Sequence, residues 1–301
     1  MNNNKTPLVS VIIPTFNRAK LVPRAIKSIL GQSYANFECI VVDDASTDDT
    51  KNVVNSIKDE RIIYLRHQEN RHVSATRNTG INNARGEFIA FLDDDDEWTP
   101  DKLEVQVPVI EKTGPEVGLV YAWMEYFQDG KSLRIHAPEL RGNVFVEMLD
   151  KQAIGGCPTL MIKRKVLSVV KGFDENLPRG NDGDFIRRIS KNFEVDFVPK
   201  VLARVYVGHN DRISLWNSPS RNRVFEYIKR LEFYASDFDQ HPDKKLNILS
   251  NMSMDYILMG NVGEGLHCFW KAMCCRCRSW YKISAFFAFT KRLVGTFCFR
   301  R

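Results

Sequence analysis

The chain has 301 residues, 44% hydrophobic and 27% charged, with 43 Lys+Arg against 37 Asp+Glu for a net charge of +6. That balance excludes a disordered or fibrous polypeptide, and the length suffices for one large α/β domain with an appendage or for two modest domains. Seven cysteines, an odd number, do not form a disulfide framework. Cys39, in an apolar run, and Cys157, beside a glycine pair, read as small hydrophobes.

The opening "MNNNKTPLVSVIIP" lacks a signal-peptide layout, and nowhere does an apolar stretch approach the roughly 20 residues of a membrane-spanning helix. A cytoplasmic chain is therefore expected. "LVSVIIPTFNR" is an apolar run ending at Pro14, the pattern of a buried parallel strand followed by a turn. Leu21, Ala25, Ile26, Ile29 and Leu30 then recur at helical spacing until Gly31 provides a stop. "FECIVVDDAS" reads as a second strand, with Asp48 or Asp49 capping the helix that carries Val53, Val54 and Ile57. "RIIYL", "SATRNTGINNA" and "GEFIAFL" continue as strand, helix and strand. This alternation with short links predicts a parallel sheet with helices on both faces.

In such sheets ligands bind at the carboxyl ends of the strands. Here those ends carry Pro14 and Thr15, Asp43 and Asp44, and the run Asp93 to Asp96. Carboxylates gathered on one edge suit a cation, or a ribose and base, better than a bare phosphate. No G-x-G-x-x-G follows the first strand and no G-x-x-x-x-G-K-[ST] occurs, so the dinucleotide and P-loop readings fail. "GNVGEG", Gly260 to Gly265, has the wrong spacing and reads as a turn between helices.

Thr99 as N-cap with Pro100 at the first helical position predicts a helix to about Lys112. "VGLVYAWMEYF" and "KSLRIHA" read as antiparallel strands around an Asp129-Gly130 turn. "GGCPTLMIKRKVL" adds a strand leading into a helix, and "GFDENLPRGNDGDFIRRISK" a loop opening a further helix. From Ser220 onward the pattern is helical, with apolar spacing at Val224, Tyr227, Ile228 and Leu231. A boundary near Asn217 divides a domain at 1–217, itself composed of halves at 7–112 and 113–217, from a helical region at 218–301.

The charge is localised. From Lys271 to Arg301 no acidic residue occurs, while Lys271, Arg276, Arg278, Lys282, Lys291, Arg292, Arg300 and Arg301 interleave with Trp270, Trp280 and five phenylalanines. Two readings stand: contact with an anionic membrane surface, or a helical subdomain with a solvated basic face. No nucleic-acid-binding motif accompanies the charge, so nucleic acid is not an expected partner. Cys268, Cys274, Cys275 and Cys277 cluster without paired C-x-x-C spacings, which argues against structural zinc.

Four blocks in order, "VSVIIPTFNR", "FECIVVDDASTDDT", "RNTGINNARGEFIAFLDDDD" and "GFDENLPRGNDGDFIRRIS", resemble the inverting family 2 glycosyltransferases with the GT-A fold, over about residues 7 to 210. The resemblance implies a mostly parallel nucleotide-binding α/β sheet flanked by helices. It makes the acidic run a D-x-D motif, in which Asp95 binds a divalent cation on the donor's diphosphate while Asp93 and Asp94 lie near ribose and metal. On a strand-like backbone Asp93 and Asp95 would point to one side. Mn2+ or Mg2+ suits such oxygen donors. The resemblance further implies that Pro14, Thr15, Asn17 and Asp44 bind the nucleotide, with Asp44 accepting an N–H of a uracil-like ring. It places Arg77 facing the nucleotide, His209 near the diphosphate and metal, and Gly155 and Gly156 against the donor sugar.

Inversion needs a base on the acceptor side to take the hydroxyl proton. In the family this is the aspartate of an E-D pair before an apolar helix. Here the pair reads Asn181-Asp182, so Asp182 is the expected base, with Asp184 as rival. The sequence departs from the family where His72 replaces a frequent glycine, Thr76 an alanine and Asn181 a glutamate. The implied activity is transfer of a hexose or N-acetylhexosamine from a UDP-linked sugar to a hydroxyl of a saccharide or lipid-linked acceptor in bacterial surface polysaccharide assembly, at the inner face of the cell membrane. A metal-dependent nucleotidyltransferase would need a glycine-rich phosphate loop that "IIPTFNRAK" lacks. A non-catalytic nucleotide- or carbohydrate-binding module would not need the carboxylates that are present.

Overall fold

Apolar strands running into acidic loops set the architecture. The computed structural model describes residues 6–208, 219–275 and 281–282. His209, Asn217, Cys277 and the tail beyond Lys282 lie outside them.

Strands β1 (Val9–Thr15) and β2 (Phe37–Asp43) are buried along their whole length, as expected for parallel strands covered on both faces. With β3 (Ile62–Arg66) and β4 (Phe88–Phe91) they form the parallel half of the sheet, in the order β3-β2-β1-β4. Helices α1 (Val22–Leu30), α2 (Thr50–Ser56) and α3 (His72–Asn83) connect them. Gly31 ends α1 as expected. Asp49 precedes α2, while Asp48 does the capping chemistry: its carboxylate accepts from the Thr50 and Ala19 amides.

The acidic run does not continue the strand. Asp96 N–H donates to the Asp93 carbonyl at 3.1 Å, closing a tight turn. The alternation that would align Asp93 with Asp95 therefore does not apply. No helix follows at once either: the two-residue strand β5 (Glu97–Trp98) comes first, and helix α4 (Lys102–Lys112) starts two residues later than expected, with Asp101 rather than Thr99 at the N-cap position and Pro100 outside the helix. The reason is sheet formation, since β5 pairs antiparallel with β9 (Glu194–Tyr206).

The second half supplies β6 (Val117–Gln128), β7 (Lys131–His136) and β8 (Met161–Lys163), giving a mixed nine-stranded sheet among the described residues in the order β3-β2-β1-β4-β8-β6-β9-β5, with β7 beside β6. Asp129 and Gly130, both with positive φ, form the β6-β7 turn. Short helices α5 (Phe145–Met148) and α6 (Leu167–Val170) precede α7 (Asn181–Asn192). Two apolar clusters, one on each sheet face, hold the helices.

The chain divides into two units. Met1–Met148, Gln152–Asn176 and Asn181–Arg212 form the first; Leu149–Lys151, Leu177–Gly180 and Ile213–Arg301 form the second. The second is helical, with α8 (Arg221–Phe233), α9 (Ala235–Gln240), α10 (Pro242–Leu258) and α11 (Val262–Met273). Ser220 caps α8 by accepting from Arg223 N–H, and Arg223 pairs with buried Asp255. Within this unit Lys244 and Asn247 bind Asp150. "GNVGEG" is a turn only at its start, where Gly260 has φ +86; α11 begins at Val262, and Gly265 lets α11 approach Ser253 and Ile257 of α10. Cys268 and Cys275 are buried packing residues, and Cys274 is exposed. Among the described residues no helix is long and apolar enough to cross a membrane.

Candidate active site

The strand order reverses at β1, whose neighbours β2 and β4 carry the acidic loops, so their carboxyl ends open onto one crevice. Asp43 ends β2, fully buried. It accepts from the Ser46 N–H at 2.8 Å and from the Tyr64 hydroxyl, and Arg66 lies 3.5 Å from it, which marks it as structural. Asp44 is also buried, and its Oδ1 meets His67 Nδ1 at 2.7 Å and accepts from Arg71 N–H at 2.8 Å. Two fixed partners on Oδ1 orient the carboxyl. Oδ2 is not taken by any described residue.

Pro14 and Thr15 are buried at the end of β1. Asn17 follows with φ +53 and clasps the neighbouring loop: its amide donates to Ser46 Oγ at 2.8 Å and its Oδ1 accepts from the Thr47 and Asp48 amides. The carboxamide oxygen expected at the nucleotide thus holds the β1 loop to the β2 loop. That leaves the side-chain NH2 as the group Asn17 can offer a ligand.

The four carboxylates have four surroundings. Asp93 Oδ1 meets Arg77 at 2.7 Å. Burial pushes its pKa up against the pull of Arg77, and the charges of Asp182 and Asp95 push it further. Asp94 lies 4.0 Å from Arg18; burial and the neighbouring Asp95 push it up to about 7, the Thr15 hydroxyl and Arg18 opposing. Asp95 is half-buried, and its carbonyl accepts from Arg24, whose guanidinium lies over the Tyr206 ring at 3.6 Å. Asp96 is buried and accepts from Tyr206 N–H at 3.0 Å, so it anchors β9. Asp96 is therefore the structural member of the run, and Asp93 to Asp95 are the crowded ones.

Arg77, on α3, is 4% exposed and spans the site. One terminal nitrogen binds Asp93 and the other binds Asp182 Oδ1 at 2.9 Å. Burial alone would weaken its charge, but Cys157, Asp182 and Asp93 hold it protonated above the usual arginine range. Asp182 sits in the first turn of α7, a position that favours an anion. Its Oδ2 accepts from Cys157 N–H at 3.0 Å, in a short 3₁₀ turn (Cys157–Thr159) that follows Gly155 and Gly156. A Cβ on Gly156 would lie 3.1 Å from Asp182 Oδ2, so glycine there lets backbone approach the carboxylate. Asn181, next to it, donates to Ser74 of α3. Asp184 pairs with Arg188 at 2.8 Å along its own helix.

Of the residues expected from sequence, the structure brings Arg77, Asp93 and Asp182 into direct contact, with Asp94 and Asp95 beside Asp93. Asp44 faces the crevice from β2, and His209 lies outside the described residues. Sequence reading missed His67, Ser74 and the Cys157 amide as the groups that fix Asp44, Asn181 and Asp182. His67 alone carried a signal, since it directly follows β3 at a strand carboxyl end.

The donor set fits a divalent cation. Asp93 to Asp95 are hard oxygen donors, and the charge of Asp95 pushes up the pKa of Asp93 and Asp94, a repulsion that a cation would relieve. Among the described residues no group of three or more His, Cys, Asp or Glu side chains is placed to hold a metal alone. Hard divalent cations such as Mg2+ commonly bind through one or two carboxylates together with substrate phosphates.

Residues 10–169 match the model of the family Glycosyl transferase family 2. A Rickettsia conorii protein named only as an uncharacterized glycosyltransferase is 34% identical over 261 residues, 82% of this chain and 42% of that protein, so the chain spans less than half the relative's length. The putative teichuronic acid biosynthesis glycosyltransferase TuaG of Bacillus subtilis is 32% identical over 237 residues, 76% of this chain and 92% of TuaG. Among solved structures, Staphylococcus aureus TarS 1–349 in complex with UDP-GlcNAc superposes with a TM-score of 0.62 at 17% identity, covering 88% of this chain and 90% of that one. The mannosyltransferase PcManGT of Pyrobaculum calidifontis, in complex with GDP-Man and Mn2+, superposes with a TM-score of 0.52 at 19% identity, covering 94% and 79%. The fold is the expected GT-A arrangement, a curled and largely parallel sheet flanked by helices.

Proposed function

The chain belongs to glycosyl transferase family 2, and from that premise we propose an inverting transfer of a hexose or N-acetylhexosamine from a UDP-linked donor to a hydroxyl of a saccharide or lipid-linked acceptor in surface polysaccharide assembly. One observation carries the reading: a single buried guanidinium, Arg77, holds a carboxylate of the acidic turn, Asp93, and the carboxylate that opens α7, Asp182. Two acidic groups with different duties are thereby fixed side by side, as a displacement with a leaving diphosphate and an attacking hydroxyl requires.

Asp44 recognises the base through Oδ2, its Oδ1 being held by His67 and Arg71. Pro14 and Thr15 line the same crevice, and Asn17 fixes its rim. Asp95, with Asp93 and Asp94 beside it, would hold a divalent cation, with His209 as a further candidate ligand. When bound, that cation supplies charge neutralisation to the donor's diphosphate. Asp182 takes the proton from the acceptor hydroxyl, and Arg77 and the Cys157 amide fix its orientation. Gly155 and Gly156 leave room for the sugar beside it. UDP is the nucleotide that TarS carries with GlcNAc, Mn2+ accompanies GDP-Man on PcManGT, and TuaG is named for teichuronic acid biosynthesis; these support the donor class, the cation and the pathway.

The test is slow hydrolysis of a panel of nucleotide sugars by the purified protein with manganese, with magnesium and with chelator, alongside Asp95→Ala. Metal-dependent release of nucleotide diphosphate from one donor, lost in the variant, is the expected result. No release and no metal-dependent binding across the panel would overturn it in favour of a binding module.

A further inference from the structure

Helix α11 packs one face into the second unit through Gly265, Cys268 and Ala272. Its solvent-facing side carries exposed Glu264 and His267 and, among them, large apolar residues. Val262, Leu266 and Trp270 are 52%, 56% and 70% exposed, and their spacing of four places them in one stripe along the helix. A stripe of large apolar side chains ending in tryptophan is costly in water unless something covers it. Lys271 beside Trp270 is exposed as well, and so is Tyr281.

What covers it is indicated by the sequence that continues from this helix. From Lys271 onward every charged side chain is cationic, and aromatic residues are interspersed among them. Apolar and aromatic side chains beside an unbroken set of cations match the interface of an anionic bilayer, where rings sit at headgroup depth and cations meet the lipid charge. We propose that the exposed stripe of α11, Val262, Leu266 and Trp270, with Lys271 beside it and Lys282 further on, is a docking face for an anionic lipid surface. The face lies on the helical unit and uses none of the residues assigned to catalysis.

The experiment is co-sedimentation of the full chain with phosphatidylcholine vesicles containing or lacking phosphatidylglycerol, at low and high salt. The wild-type chain is expected to partition onto the anionic vesicles and to be released by salt. The pair Leu266→Asp with Trp270→Asp, and separately Lys271→Gln with Lys282→Gln, should each reduce that partitioning roughly tenfold. The milder pair Leu266→Ser with Trp270→Ser guards against a folding defect, and all variants should keep wild-type release of nucleotide diphosphate from a soluble donor. Equal binding to neutral and anionic vesicles, or unchanged partitioning in the stripe variants, would overturn the proposal. So would stripe variants that alter only the oligomeric state, because the face would then belong to a second copy.

Discussion

Arg77 and Asp182, 105 residues apart in the chain, meet at 2.9 Å, and the same guanidinium reaches Asp93 at 2.7 Å. A planar fork can serve two carboxylates where an ammonium serves one. Arg77→Ala leaves two like charges beside a buried gap, so it should cost about 3 kcal/mol of stability and at least about 100-fold in kcat/KM. Arg77→Lys should recover part of the stability and little of the activity. Thermal unfolding and donor turnover measured on both variants check this, and a lysine variant equal to wild type would refute the bridging role.

The choice of base separates kinetically. Asp182→Asn keeps the side-chain size but removes the proton acceptor and one of the two acceptances from Arg77 and the Cys157 amide, so transfer should fall by about 10²- to 10⁴-fold while donor binding persists. Asp184→Asn loses only the pair with Arg188 on α7, worth about 0.5 kcal/mol, and should transfer normally. Acceptor-dependent turnover of the two variants decides, and the opposite pattern would make Asp184 the base.

The parallel half of the fold was legible because β1, β2 and β4 are predominantly apolar runs, broken only by Ser10 and Glu38 and the strand ends, and punctuated by acidic loops. The resemblance pointed to Asp182 at the start of an amphipathic helix, and it lies in the first turn of α7. The departure at His72 also has a physical meaning: His72 adopts φ +65, the left-handed region where glycine is at ease. The path of the acidic run was not readable, because β5 exists only through its pairing with β9, more than 100 residues later. Nor could spacing show that Arg77 faces Asp182, or that Asn17 spends its carboxamide oxygen on the neighbouring loop. Those are tertiary facts.

Gly156 has ordinary dihedrals for any residue, φ −83 and ψ −173, so alanine there is not strained by the backbone. Its Cβ would nevertheless stand 3.1 Å from Asp182 Oδ2, and the carboxylate must shift by a few tenths of an ångström. Gly156→Ala should therefore leave the melting temperature nearly unchanged, within about 1 kcal/mol, while turnover drops about tenfold or more through misplacement of the base. Paired melting and kinetic measurements test it; full activity with normal stability would show that Asp182 does not need its present position.

Lys102 gives a pH test remote from the active site. It is fully buried, bonded to Gln106 Oε1 and lying 4.2 Å over the Trp98 ring, and burial lowers its pKa to about 7. Below about pH 7 the ammonium is charged in both folded and unfolded chains, and folding bears the whole cost of burying it. Between about 7 and the ordinary value of 10.5 the unfolded chain holds a proton that the folded one has released, so this contribution to stability rises with pH. Lys102→Met removes the cost but orphans Gln106 Oε1, leaving a net gain of about 2 kcal/mol below pH 7. That gain should shrink steadily as pH rises above 7, cross zero before 10.5, and turn into a net loss of about 2–3 kcal/mol above it, where only the orphaned Gln106 Oε1 counts. Denaturant unfolding of both proteins across this range checks the slope, and a difference that does not change with pH would show that Lys102 stays charged in the fold.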